Sequence, residues 1–165
     1  MSWHTNGVLI RSDHSKDFPA LLARLGLPGA VEGEPVDFDE ATSVGNFGVA
    51  AGVVDGWTAL WGFGVIALDA AAFAEISRRA AVFQVVLEGT SDTAGFGWWV
   101  GGERVRDWLH QGGELLRNEG DPLPGEKKAF AGRDREQAVL KLMTELTVSF
   151  KKLAGITYRM YEIPE

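Results

Sequence analysis

The residues best suited to binding or chemistry are concentrated in one glycine-rich segment, residues 93–113, with the sequence TAGFGWWVGGERVRDWLHQGG. This segment holds three of the six tryptophans and one of the three histidines of the chain. Tryptophan and arginine are enriched at binding hot spots, where they combine a large contact area with directed polar groups. The segment is therefore the first candidate for a binding surface.

A tight hairpin is the element that would position these side chains. Gly101 and Gly102 suit a two-residue turn in which both residues need positive φ. Such a turn places Trp98 opposite Val105, and neighbours on a strand point to opposite faces. The predicted core face is apolar and consists of Phe96, Trp98, Val100 and Val105. The predicted opposite face places tryptophan and arginine side chains over glycines, which have no side chain. It consists of Gly95, Gly97, Trp99, Arg104, Arg106 and Trp108.

The second face of this hairpin is a candidate partner-binding surface. Tryptophan can lie across a glycine backbone, and arginine can stack on an indole ring. We therefore expect Trp99, Arg104, Arg106 and Trp108 to contact a partner, and we expect Trp99→Ala to leave the fold intact. Two alternatives remain: another element covers this face, or Trp99 and Arg104 form a cross-strand pair that binds nothing.

The charge distribution supplies a second candidate surface. The net charge is -7, and residues 32–69 contain seven acidic residues and no lysine or arginine. Such a region favours a basic protein partner by electrostatic steering, and disfavours nucleic acid, which requires a basic surface. Asp37, Asp39 and Glu40 are the predicted contact residues on a strand that begins at Pro35. The alternatives are a solvated, charged edge strand and, less favoured, a hydrated cation between Asp37 and Asp39.

Recognisable catalytic, metal and cofactor motifs do not occur. His4, His14 and His110 do not have metal-ligand spacing. The glycines match neither a phosphate-binding loop nor a nucleophile elbow, and the chain has no cysteine. We predict a non-enzymatic protein without metal or cofactor. The alternative is a small-molecule binder or hydrolase-like enzyme whose pocket combines a carboxylate or His110 with aromatic side chains from Trp57, Trp61, Trp98 or Trp108.

Length and residue patterning predict one domain, residues 1–165, of the α+β class. Strand patterns at residues 3–11 and 82–88, and around the turn Asp55-Gly56, alternate with a few helical patterns. The clearest helical pattern begins after Asp134 and continues to residue 153. We expect a mainly antiparallel sheet of six to eight strands with two or three helices packed on one face, and loops at 26–35 and 119–132.

The sequence also predicts a cellular location and a general class of protein. The N-terminus lacks a secretory signal pattern, and the uncharged run between Asp55 and Asp69 is shorter than the roughly 20 residues of a membrane-spanning helix. We therefore expect a cytoplasmic protein that binds neither membrane nor nucleic acid. The chain resembles bacterial immunity proteins in size and general character: it is small, acidic and free of cysteine. That resemblance implies a protein partner, a cognate toxin, that the chain neutralises.

Overall fold

The computed structural model describes residues 3–164, which form a nine-stranded antiparallel sheet with six α-helices and one 3₁₀ helix. The strands are β1 His4–Ile10, β2 Val31–Val36, β3 Val49–Val54, β4 Trp57–Trp61, β5 Val82–Glu88, β6 Thr93–Val100, β7 Glu103–Gln111, β8 Glu114–Glu119 and β9 Tyr158–Glu162. The helices are α1 Phe18–Arg24, α2 Phe38–Ala41, the 3₁₀ helix Phe63–Ala67, α3 Ala70–Ile76, α4 Glu126–Phe130, α5 Arg135–Leu146 and α6 Phe150–Ala154. The strand order in the sheet is β2-β9-β3-β4-β1-β5-β6-β7-β8.

The predicted α+β class with a mainly antiparallel sheet is confirmed. The sheet has nine strands instead of six to eight, and helices lie on both of its faces instead of one, because central strands are apolar on both sides. One core contains residues of α2, α4, α5 and α6, and we call this side the α5 face. The other core contains residues of α1, the 3₁₀ helix and α3, and we call this side the α3 face. In β1, Val8 and Ile10 pack into the second core and Leu9 into the first. An unbroken apolar run of this kind is typical of a strand buried on both sides.

The predicted strand through Asp37 and Asp39 is wrong beyond Val36. The Asp37 carboxylate accepts a hydrogen bond from the Glu40 backbone N–H at 2.9 Å, which caps α2. Asp is among the strongest N-cap residues, because it satisfies a backbone donor that the first helical turn leaves free. Local capping therefore overrides the alternating pattern, and the buried Phe38 becomes part of a short helix.

The predicted long C-terminal helix is divided in two. Helix α5 ends at Leu146, Thr147 adopts a non-helical conformation, and Ser149 caps α6 by accepting from the Lys152 N–H. The Thr147 hydroxyl donates to the Met143 carbonyl at 2.6 Å, and the Thr147 N–H donates to the same carbonyl at 2.9 Å, so Thr147 closes the last turn of α5. Serine and threonine form such local bonds readily, which explains the break.

The predicted loops 26–35 and 119–132 also contain regular structure, namely β2 and α4.

Several local predictions are confirmed. The β3–β4 hairpin turns at Asp55 and Gly56, both of which have positive φ. Asp134 caps α5 by accepting from the Gln137 N–H at 2.8 Å, and Asp69 caps α3. Within residues 3–164, none of the helices combines the length and the apolar character needed to cross a membrane.

Candidate functional site

The hairpin of β6 and β7 has the predicted turn but a different register. Gly101 and Gly102 form the turn with φ of 64° and 88°. Trp99 pairs with Arg104, but a β-bulge follows, so Trp98 lies opposite Arg106 and Val105 has no partner. The predicted pairing of Trp98 with Val105 is wrong because a bulge inserts one extra residue and reverses the faces beyond it. Val105 is 40% exposed, rather than buried with Trp98.

The bulge moves Arg106 into the interior on the α5 face. Arg106 is 3% exposed, and its Nε and Nη2 donate to the two carboxylate oxygens of Glu126 at 2.9 and 2.8 Å. Its Nη1 donates to Asn118 Oδ1 at 2.7 Å and to the Glu119 carbonyl at 3.0 Å. Arg106 therefore links β7, β8 and α4, and its guanidinium bonds within the fold.

Trp108 also lies on the α5 face. It packs edge-on against Phe130 with ring centroids 4.9 Å apart, and the nearly buried His110 stacks on it at 6.2 Å. Trp57 and Trp61 are buried in the same core, and Trp98 packs against it. The tryptophans proposed as a pocket lining are therefore packed with the aromatic and aliphatic side chains of this core.

Trp99 points to the α3 face, where α3 and Arg104 cover it. Its side chain packs with Phe73 of α3 at a centroid distance of 6.1 Å and is 7% exposed. The indole Nε1 donates to Gln84 Oε1 at 2.5 Å, and the Arg104 guanidinium lies 5.6 Å from the ring centroid. Of the predicted hairpin surface, Trp99 and Arg104 remain together on one face, while Arg106 and Trp108 do not join them.

Beyond Trp99 a groove of about 420 Å³ lies between the 3₁₀ helix and strands β5 to β8. Gly95 and Gly97 lie along its floor, and we call it the glycine-floored groove. Its apolar lining includes Val65, Ile66, Leu68, Val86 and Leu109, and its polar lining includes Asn6, Gln84, Arg104, Asp107 and Arg117.

The charged end of this groove is an arginine–aspartate–arginine cluster. Asp107 Oδ2 lies 3.2 Å from Arg104 Nη2 and 2.9 Å from Arg117 Nε. These contacts are ion pairs without hydrogen-bond alignment, since Oδ2 has no hydrogen-bond partner among the described residues. The Asp107 side chain is 5% exposed, whereas those of Arg104 and Arg117 are 38% and 50% exposed. The charge presented to solvent in the groove is therefore positive.

An apolar ridge, formed by Phe47, Phe63 and Ile66, borders the groove. Phe47 is 77% exposed and stacks on Phe63 with centroids 5.8 Å apart. Ile66 is 66% exposed and lies three residues after Phe63 in the 3₁₀ helix, which places both on one side. Because Ile66 also lines the groove, ridge and groove form one continuous surface.

The loop that carries Phe47 is held in place by the buried side chain of Asn46. Its Nδ2 donates to the carbonyls of Ala41 at 2.8 Å and Trp61 at 3.1 Å. Its Oδ1 accepts from the Gly48 N–H at 3.0 Å. A fully bonded buried amide fixes the backbone on both sides of Phe47, so the exposed ring is presented in a defined position.

The acidic residues Asp37, Asp39 and Glu40 lie elsewhere. They are exposed on α2, which packs on the α5 face, beside the edge strand β2. Strand β6 is six positions from β2 in the sheet, which corresponds to roughly 30 Å at about 4.8 Å per strand. The two predicted surfaces are therefore separate. Within residues 3–164 no group of three or more potential metal ligands is present.

Phe47, Ile66, Asp107 and Arg117 were not identified from the sequence. Phe47 had a usable signal, because it is an aromatic residue between Asn46 and a glycine in a turn-rich segment. The Asp107–Arg117 pair had none, since it depends on the pairing of β7 with β8.

Comparisons with protein-family models, curated proteins and solved structures find no match.

Proposed function

We propose that this chain is a protein-binding domain that docks its partner on the apolar ridge. The observation that carries the proposal is Phe47, a 77% exposed aromatic ring on a loop that Asn46 holds rigid. Large aromatic side chains supply much of the energy at binding hot spots. A rigid loop also avoids the entropy cost of ordering on association.

The surroundings of the ridge support this role. Interfaces typically combine an apolar centre with a polar, solvated rim. Phe47 and Ile66 would form such a centre, with the half-exposed Arg104 and Arg117 beside it in the groove. In this proposal the chain acts by binding, without a reaction of its own.

The acidic residues lie near one end of the ridge. Asp37 caps α2 and Asp39 and Glu40 belong to it, and the last residue of this helix, Ala41, accepts a hydrogen bond from Asn46, the neighbour of Phe47. In this proposal these carboxylates, in a protein of net charge -7, steer a basic partner toward the ridge and raise its association rate more than its final affinity.

Neutralisation of a cognate toxin is the specific form of this proposal that the resemblance to immunity proteins favours. The genetic test co-expresses the chain with the products of neighbouring genes. A growth-inhibiting product that the wild-type chain silences, and that the Phe47→Ser chain does not, supports this form. If every neighbouring product is harmless or remains unsilenced, the toxin-neutralising form is wrong.

The binding test uses Phe47→Ser with Val100→Ser as its matched control. Val100 is 43% exposed beside the Gly101-Gly102 turn, at the opposite end of the sheet from Phe47. We expect Phe47→Ser to weaken the complex at least tenfold in titration calorimetry, on the order of the 1.4 kcal/mol or more lost at a hot spot. Val100→Ser should bind like the wild type, and thermal unfolding should show that both variants are folded. Equal affinities for the two variants would place the interface elsewhere.

A further inference from the structure

We infer that the glycine-floored groove binds a planar carboxylate ligand, such as an aromatic acid. This inference does not depend on the proposed protein partner. The groove volume of about 420 Å³ lies within the range of about 300–1,000 Å³ typical of small-molecule sites. Gly97 is buried beneath Gln84 and Arg104: a Cβ there would lie 3.2 Å from Gln84 Oε1 and 3.7 Å from Arg104 Cδ. Glycine at this position therefore lets these two polar side chains lie close against the sheet where they border the groove.

The apolar lining suits the ring of such a ligand. Leu109 and Val86 close over Gly95, where a Cβ would lie 2.7 Å from Leu109 Cδ1 and 3.1 Å from Val86 Cγ1. Val65 and Leu68 line the groove from the side of the 3₁₀ helix. A ring between these side chains buries both of its faces against apolar surface.

The arginine–aspartate–arginine cluster suits the carboxylate. Arg104 and Arg117 contact the same oxygen of Asp107, so one carboxylate can reach both guanidinium groups. Each guanidinium has five N–H donors, and neither donates a hydrogen bond to an acceptor within residues 3–164. Arginine binds carboxylates in a planar, often bidentate geometry. Asp107 holds both side chains in position before the ligand arrives.

The same cluster disfavours a cationic ligand. The Asp107 carboxylate is nearly buried and already faces two positive groups, which a ligand would meet first. Glu119, opposite Asp107 on β8, is not among the lining residues of the groove. The Asn6 side chain lines the groove without a hydrogen-bond partner in the described part of the chain, and it offers a polar contact for a ring substituent.

The first experiment titrates the protein with benzoate and indole-3-acetate, and with their neutral amides, benzamide and indole-3-acetamide. Binding is followed by amide NMR shifts. We expect the acids to shift the amides of Gly97 and Asp107, and the neutral amides to bind at least tenfold more weakly. If neither acid shifts the groove amides, or if the neutral amides bind equally well, the inference is wrong.

The second experiment compares Arg117→Gln with Arg135→Gln. Arg135 is a matched control because it is 45% exposed and forms a surface ion pair with Asp92. We expect Arg117→Gln, and Arg104→Gln as a second variant, to lose at least tenfold in affinity for the acids, while Arg135→Gln binds like the wild type. Affinities unchanged in both groove variants would overturn the inference. Neither experiment involves Phe47. A negative result for ligand binding in the groove would therefore not contradict the protein-binding proposal, which the Phe47→Ser experiment tests separately.

Discussion

At the residue scale, two arginines of one short motif have opposite roles. Arg104 and Arg106 are separated by a single residue, yet Arg104 faces the open groove and Arg106 is buried against Glu126. The bulge at Val105 produces this difference, since residues two apart on a regular strand share a face. The local sequence Arg104-Val105-Arg106 does not indicate which of the two arginines is buried.

The buried pair makes Arg106 a stability determinant. Arg106→Met leaves Glu126, which is 8% exposed, without its cation, and should lower the free energy of unfolding by about 3–5 kcal/mol. Arg104→Met, which disrupts a partly exposed pair, should cost about 1 kcal/mol or less. Urea unfolding measures both. The double variant Arg106→Met with Glu126→Met should recover part of the loss, and a double variant no more stable than the single one would contradict this explanation.

At the element scale, α3 and the β6–β7 hairpin form one unit. The Gly101 N–H donates to the Ser77 carbonyl at 2.9 Å, and the Gly102 N–H donates to Ser77 Oγ at 3.0 Å. Phe73 of α3 packs on Trp99. The hairpin turn therefore docks on the C-terminal end of α3 and brings this helix over the indole.

This docking changes the expected effect of Trp99→Ala. Removal of a nearly buried indole from beneath α3 should cost about 3–5 kcal/mol of unfolding free energy, because the cavity cannot fully collapse. The sequence alone predicted an intact fold. Trp99→Phe should cost less, since it retains much of the ring. Thermal unfolding followed by circular dichroism measures both, and a loss below about 1 kcal/mol for Trp99→Ala would show that α3 is not held by this contact.

At the scale of the whole molecule, the last strand β9 joins the two cores. The only two tyrosines of the chain are on it: Tyr158 packs into the core of the α5 face and Tyr161 into that of the α3 face. Burial raises the pKa of Tyr158 to about 12. Burial and the nearby Glu32 carboxylate also raise the pKa of Tyr161. Both rings thus remain protonated in the folded protein at a pH where free tyrosine ionises.

This makes the stability of the whole fold sensitive to alkaline pH. The unfolded chain ionises Tyr158 near its ordinary pKa of 10, and the folded chain only near 12. The stabilisation is therefore complete below pH 10 and is lost as pH rises toward 12, by about 2–3 kcal/mol. Urea unfolding at increasing pH should show this decline, with phenolate absorbance reporting ionisation. Tyr158→Phe should flatten it, and an equally steep decline in that variant would contradict the assignment to Tyr158.

Local signals in the sequence predicted much of the fold. The caps at Asp69 and Asp134 and the turns at Asp55-Gly56 and Gly101-Gly102 are confirmed. They could be predicted because each depends on hydrogen bonds or φ values within a few residues. The prediction failed at Asp37 and at Thr147, where a local side-chain bond competed with a longer hydrophobic pattern.

The exposure of the candidate-site residues could not be predicted from the sequence, because it depends on tertiary packing. The sequence by itself determined an antiparallel α+β domain with a Trp99–Arg104 pair across a glycine turn. Only the tertiary structure decided that α3 covers Trp99, that Arg106 is buried, and that the groove is open. The physical reason is that a bulge and the docking of a helix reflect the packing of segments far apart in the chain. Residue spacing specifies which side chains share a strand, and packing decides which of them water can reach.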